Sequence, residues 1–336
     1  METSATSRPI VPDAFPKRSL GRRLLDVPEI GALGAVIVFF IVFYIFNKSI
    51  ADAGTIQRMA QQGTFIGLAS LGMSFLMVAG EIDLSSGATA GLAAVTAGLL
   101  LARLGWPEWA CYPAGIAAAL LIGLINSFIT LKIGMPSFFA TLATSFSIAG
   151  LLIWLLNGNW IYQEGKIPLL EKFAHTGPVP GIPWMFVIYL AAVIICDVIM
   201  RTTRLGPMLS AVGGNRRAAE IVGINVKRVK TLCFVFVSLC CGVAGLFVMG
   251  YGKTTDPGIG EGWLLWVVAI AIIGGGSLRG GVGSIIGGLL GTALIEVIRM
   301  GLTAANVKTN AQGIVVGAIL IGAAALDAAR RRAIRY

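Results

Sequence analysis

From Trp184 to Met200 and again from Thr231 to Gly252 the chain is almost free of charge, and between these runs lies a polar, basic excursion from Arg201 to Lys230. Each flanking run has the length a helix needs to cross a bilayer, at about 1.5 Å per residue. Hydrocarbon admits only helices or closed barrels, because no water is there to satisfy an open backbone. About ten such runs can be drawn as helical spans: Ile30–Phe46, Ala60–Gly80, Leu84–Ala102, Trp109–Leu131, Ser137–Asn157, Pro183–Met200, Thr231–Tyr251, Trp263–Leu278, Val282–Ile298 and Ala311–Leu326. The expectation is an all-α integral membrane protein. The second and third spans, parted only by Gly80–Asp83, are either two crossings with a tight turn or a pair broken within the membrane. The later spans follow the earlier ones at an odd offset, so any internal duplication would be an inverted repeat, although no residue-level repeat is visible.

Charge agrees with this reading. Charged residues make up 12% of the chain and hydrophobic ones 56%, whereas soluble domains carry about 25% charged residues. A formal net charge of +10 in a soluble protein would point to nucleic acid. Here the basic residues sit at the ends of apolar runs, which argues for lipid and against a nucleic-acid partner. With the N-terminus inside, most of the 26 Lys+Arg fall on the cytoplasmic side. These are Arg8, Lys17, Arg18, Arg22, Arg23, Lys132, the basic residues of 201–230, Arg279, Arg330, Arg331, Arg332 and Arg335. Both termini are therefore expected to be cytoplasmic. The domains expected are a tail at 1–29, a transmembrane domain at 30–327 containing the 201–230 segment, and a basic tail at 328–336. The first tail, with Pro9, Pro12, Pro16 and Pro28, reads as polar chain rather than a signal peptide, with an amphipathic stretch near Ser19 to Leu25.

Several chemical motifs fail. Gly250-Tyr-Gly-Lys253-Thr254 lacks the first glycine of a phosphate loop, since Phe247 stands there. Gly281-Val-Gly283 begins a dinucleotide fingerprint without finishing it. His175 reads as a solvated loop residue, and Cys111, Cys196, Cys233, Cys240 and Cys241 as small buried hydrophobes. No nucleophile, metal or acid–base set is apparent, so no cofactor and no enzymatic activity are expected.

Four stretches hold. Gly80-Glu81-Ile82-Asp83-Leu84-Ser85-Ser86-Gly87 is an acidic turn flanked by apolar residues. A charge near hydrocarbon costs several kcal/mol unless paired or hydrated, so Asp83 either caps the next helix through the amides of Ser85 or Ser86 or lines a substrate path. Gly276, Gly280, Ser284 and Gly288 recur at four-residue steps and predict a close-packing helix face. Asn126 in an apolar span is interhelical glue or path lining, and Pro136 fits the first turn of the helix carrying Thr141. Within 201–230, Gly214-Asn215 and Gly223-Ile224-Asn225 read as breaks and caps between two short helices, a form suited to being held by a cytoplasmic partner.

Taken together these residues resemble the permease subunits of bacterial ABC importers for monosaccharides, the ribose/xylose/arabinose group. The likeness runs from about Ala60 to Asp327 through the Ile82-Asp-Leu-Ser85 turn, Pro136-Ser-Phe-Phe-Ala-Thr141-Leu, Gly213-Gly-Asn215 to Asn225-Val, and Gly274 to Ser284. Glu81, Ala143 and Ala149 depart from the family pattern. The resemblance implies a multi-pass protein of the inner membrane, paired with a second permease copy, identical or paralogous. A periplasmic substrate-binding protein would deliver the substrate and cytoplasmic ABC ATPase subunits would supply the energy. It places ATPase coupling on Gly214, Asn215, Ala219, Glu220, Gly223, Asn225 and Lys227, and a substrate pathway on Asp83, Ser85, Asn126 and Thr141. Related permeases for nucleosides or branched-chain amino acids remain open. An ion-coupled secondary transporter is disfavoured, because the acids within spans, Asp197 and Glu296, fall near predicted span ends.

Overall fold

The apolar runs fold as helices in the computed structural model, which describes residues 28–308, 311–315, 317–318 and 321–322. The expected tails, apart from residues 28 and 29, and part of the last predicted span lie outside the described residues. Helix α1, Pro28–Phe46, exposes Ile37, Val38, Ile45 and Phe46 along the bundle's periphery. Helix α2, Ala53–Val78, starts seven positions before the predicted span and is buried almost all round from Gly63 to Val78. Its small residues let neighbours approach: a Cβ at Gly72 would lie 2.6 Å from the Val237 Cα. Helices α3, Ser86–Leu104, and α4, Glu108–Phe128, follow, and α4 runs on through a π-turn at Ile129–Ile133. Pro136, as predicted, opens α5, Ser137–Leu156, which ends where Asn157 takes a left-handed conformation.

The next part of the chain holds a two-stranded ribbon, β1 (Ile161–Tyr162) against β2 (Thr254–Thr255), antiparallel, with Ile161 opposite Thr255. Helix α6, Pro168–His175, carries His175 on its last turn, its ring stacked on Tyr251 at 5.8 Å. This corrects the loop assignment: Pro168 at the first turn nucleates a short helix around it.

Helix α7, Trp184–Thr202, leads into α8, Leu205–Gly214, and α9, Arg216–Ile221. Helix α10, Val226–Gly252, begins five positions earlier than predicted, so Lys227 and Lys230 belong to its first turns. It is the central post, packed along α2, α3 and α4. The loop from 253 to 262 folds back until Gly260 meets Gly87 backbone to backbone at the start of α3.

Helix α11, Trp263–Ile273, has 11 residues, about 16 Å of rise and too short to cross alone. Helix α12, Ile285–Ala304, follows, and helical residues resume at 311–315, 317–318 and 321–322. The run 274–284 is therefore a loop, which overturns the predicted helix face through Gly276, Gly280 and Ser284. Gly275, Gly280 and Gly281 all have positive φ, and a helix would forfeit the freedom that lets them turn here. Among the described residues, seven helices are long and apolar enough to cross a membrane. Helix α2 is as long, but its first turns are more polar.

Contacts sort the ends of these helices into two groups. Ser284 Oγ donates to Glu29 Oε1 at 2.6 Å and Gly281 N to Val78 O at 2.8 Å. A Cβ at Gly213, in α8, would lie 2.6 Å from Gly281 N, so the start of α1, the end of α2, the α8–α9 element and the 274–284 loop share one end of the bundle. At the other end Asn47 Nδ2 donates to Ala304 O at 2.9 Å and Gln61 Nε2 to Ala174 O at 2.8 Å.

Candidate translocation core and coupling surface

After Val78 the chain leaves the helix, with Gly80 at φ 79 making the turn. Residues to Ser85 then carry Asp83 into the interior, where it is 1% exposed. Its Oδ1 accepts from Ser85 N at 2.7 Å and Ser85 Oγ at 2.5 Å. A carboxylate bonded to the amide two residues on is an Asx turn. Ser85, not Asp83, is the residue at the N-cap of α3.

Two more helices converge on this turn, beside the first turns of α3. Asn126 Nδ2, on α4, donates to Ser85 Oγ at 2.8 Å. Thr141 Oγ1, on α5, accepts from Leu84 N at 2.9 Å, and Ser137 Oγ accepts from Ile82 N at 3.3 Å. Thr89, one turn along α3, lies 3.4 Å from Ser85 Oγ. Asp83 and Ser85 from the turn, Asn126 from α4 and Thr141 from α5 therefore form one buried polar cluster.

That cluster is unsaturated. Among the described residues, Asp83 Oδ2 and Asn126 Oδ1 are buried and find no hydrogen-bond partner. A buried acceptor left alone costs about 1–3 kcal/mol, so both atoms are poised for donors from elsewhere. Beside the cluster an apolar groove of about 390 Å³ runs between α4 and α5, lined by Ile122, Ile125, Met135, Ala140, Thr144 and Ile148 among others.

The α8–α9 element is built from its caps. Asn215 Oδ1 accepts from Ala218 N at 3.0 Å and starts α9; Asn225 Oδ1 accepts from Arg228 N at 3.0 Å and starts α10. Between them Gly223, at φ 85, closes α9, with Ile224 N donating to Ala219 O at 3.0 Å. Ala219 is buried and anchors α9. Glu220 is exposed and pairs with Arg216 at 3.0 Å. Gly214 and Lys227 face outward, nothing lying within 4 Å of a Cβ built at Gly214. At the tip Ile221 and Val222 are 85% and 74% exposed. Sequence reasoning missed this apolar tip; two β-branched residues standing in a basic, polar stretch were its signal.

Also missed was the partner of Glu81. Lys230 Nζ lies 2.6 Å from Glu81 Oε1. The small residues predicted as one face meet separate neighbours instead. A Cβ at Gly276 would lie 2.6 Å from Ala271 O and one at Gly280 2.6 Å from the Gly80 Cα, while Gly288 packs near Ser74 Oγ. Ser284 caps α12, accepting from Gly287 N at 3.0 Å. Glu296 is deep within α12, not at a span end, because the helix runs on to Ala304; its Oε1 accepts from Arg299 Nη1 at 2.7 Å. All five cysteines are free and buried. At the opposite end of the bundle Lys253 binds Glu164 at 2.7 Å and holds that exposed carboxyl below its usual range.

Helices of membrane-crossing length packed around a buried polar cluster define an integral membrane protein rather than a soluble domain. A family model described as the permease component of the branched-chain amino acid transport system matches residues 55–324, and the chain belongs to that family. It is a multi-pass permease of the inner membrane. It is 32% identical to the ribose import permease protein RbsC of Bacillus subtilis, over 89% of this chain and 92% of that one. It is 28% identical to the L-arabinose transport system permease protein AraH of Escherichia coli, over 91% and 92% of the two chains. The autoinducer 2 import system permease protein LsrD of Photorhabdus laumondii is 27% identical over 87% and 89%.

Proposed function

We propose that this chain is the translocation subunit of a binding-protein-dependent ABC importer for a monosaccharide, energised by ATP that partner subunits hydrolyse. The observation that carries this reading is the α8–α9 element, a capped and basic projection whose Ile221 and Val222 stand in the open at one end of the bundle. A short amphipathic tip of this kind suits the groove of a rigid partner. In this reading that end is cytoplasmic, both termini lie on it, about ten helices cross or enter the bilayer, and a second permease copy completes the pathway. A periplasmic binding protein meets the opposite end.

An inverted repeat is consistent with the architecture. Helices α2 and α10, long and central, are each followed by a loop and then a shorter helix. The loop after α10 meets the first turn of α3 where Gly260 touches Gly87.

Substrate hydroxyls are the donors suited to Asp83 Oδ2 and Asn126 Oδ1 once the cluster opens. The family description names branched-chain amino acids, but a zwitterion calls for paired fixed charges, and this cluster offers one carboxylate and hydroxyl or amide groups. The relatives named for ribose and arabinose support the polyhydroxyl class. The test is uptake of labelled pentoses and hexoses by cells lacking their own pentose importers and expressing the permease with its ATPase and binding protein. Sugar uptake that stops when the ATPase is inactivated supports the reading; uptake of leucine but no sugar contradicts it.

A further inference from the structure

We propose that Glu81 and Lys230 are positioning residues, their ion pair being the strut that delivers movement of the 201–230 segment to the Asp83 loop. The inference rests on the reading that this segment docks an ATPase. The pair joins Lys230 Nζ to Glu81 Oε1 at 2.6 Å, with side chains 9% and 15% exposed, so little solvent screens it.

Its ends are rigidly placed. Lys230 lies in the second turn of α10, directly beyond the Asn225 cap and the Gly223 turn that end the docking element. Glu81 stands two residues before Asp83, and between them Ile82 N is held by Ser137 Oγ at 3.3 Å. A push on α9 thus passes through a capped helix start, across the ion pair, into the loop bearing Asp83.

The glycine contacts near the pair are of a different kind. Gly80, Gly213 and Gly280 meet through backbone, a Cβ at Gly80 lying 3.4 Å from the Gly213 Cα. Glycine surfaces pack closely but lack side chains to interlock, so they can slide. The carboxylate–ammonium pair is directional and resists that sliding.

Stability gives no sufficient reason for the pair. A buried ion pair replaced on both sides by neutral groups of similar volume is often tolerated, whereas removing one partner leaves an uncompensated charge. The double change Glu81→Gln/Lys230→Met should therefore fold, and the exchange Glu81→Lys/Lys230→Glu should restore the strut.

The test uses the complete complex in nanodiscs, with Thr89→Cys as a reporter one turn from Ser85 and the native cysteines replaced by Ala. The pair-intact complex should label at Thr89→Cys about tenfold faster under ATP and vanadate than without nucleotide. The double neutral variant should bind the ATPase and keep basal hydrolysis but lose that acceleration, and the exchanged pair should regain it. Full acceleration in the double neutral variant, or none in the exchanged one, overturns the strut while leaving docking intact. A pair-intact permease that does not bind the ATPase, or shows no nucleotide effect, overturns the docking reading and the strut with it.

Discussion

Asn126 Nδ2 donates to Ser85 Oγ at 2.8 Å, which ties the middle of the core, on α4, to the residue that starts α3. Ser85 passes the link on to Asp83, so three polar side chains share one chain of hydrogen bonds while Asp83 Oδ2 and Asn126 Oδ1 stay without partners. A cluster built only to cap a helix would not need the two free acceptors.

Asp83 separates these roles. Asp83→Asn keeps an acceptor for Ser85 N but turns the free acceptor into a donor. We expect normal insertion, a midpoint of thermal unfolding close to that of the parent, and uptake reduced about tenfold, or about 1.4 kcal/mol. Asp83→Leu should lower stability as well, because the Ser85 amide loses its partner. Near-normal uptake by Asp83→Asn together with loss in Asp83→Leu would retire the pathway role and leave the turn.

The docking surface has its own test. Ile221→Ser and Gly223→Trp alter the tip and the turn of α9, outside the bundle core. Both should insert normally and fail to retain the ATPase in a detergent pull-down. Retention of the ATPase at parental levels by Gly223→Trp would remove the assignment. A single cysteine at Asn215 should react with an impermeant thiol reagent only from the cytoplasmic side.

The caps are structural and should show it. Replacing Asn215 or Asn225 by Ala removes a side-chain acceptor and should cost about 0.5–2 kcal/mol, read as a lower unfolding temperature in detergent. A Ser replacement, which can still cap, should recover most of the loss.

Gly280 sits at φ 81 against the Gly80 Cα. Gly280→Ala should already be strained, and Gly280→Leu should add an overpacking cost of about 1–3 kcal/mol, lowering the yield of folded permease. Parental yield and stability from Gly280→Leu would contradict the observed packing.

Much of this was legible in the residues. Long uncharged runs can do little but form helices in lipid, and Asn215, Gly223 and Asn225 signalled their caps and turn because local chemistry alone decides such positions. The 274–284 run misled: a four-residue spacing of small residues reads as a helix face, yet glycine's entropy favours the turns it makes here. The spans read from Ala60 and Thr231 start later than α2 and α10 because hydropathy ends a span at charges such as Arg58, Lys227 and Lys230; tertiary packing keeps these polar residues in the helices. The Glu81–Lys230 pair and the meeting of Asp83 with Asn126 and Thr141 depend on contacts across long stretches of chain. Local pattern carries no record of these.

The central claim is that this permease moves a sugar only with the help of an ATPase that docks on α9. The most direct measurement is sugar accumulation in proteoliposomes holding the permease, with the ATPase and ATP on one side and the loaded binding protein on the other. The account predicts concentrative uptake with all components present, loss of it on removing ATP or changing Gly223→Trp, and none from the permease alone. Concentrative uptake by the permease alone, driven by a proton or sodium gradient, would contradict it.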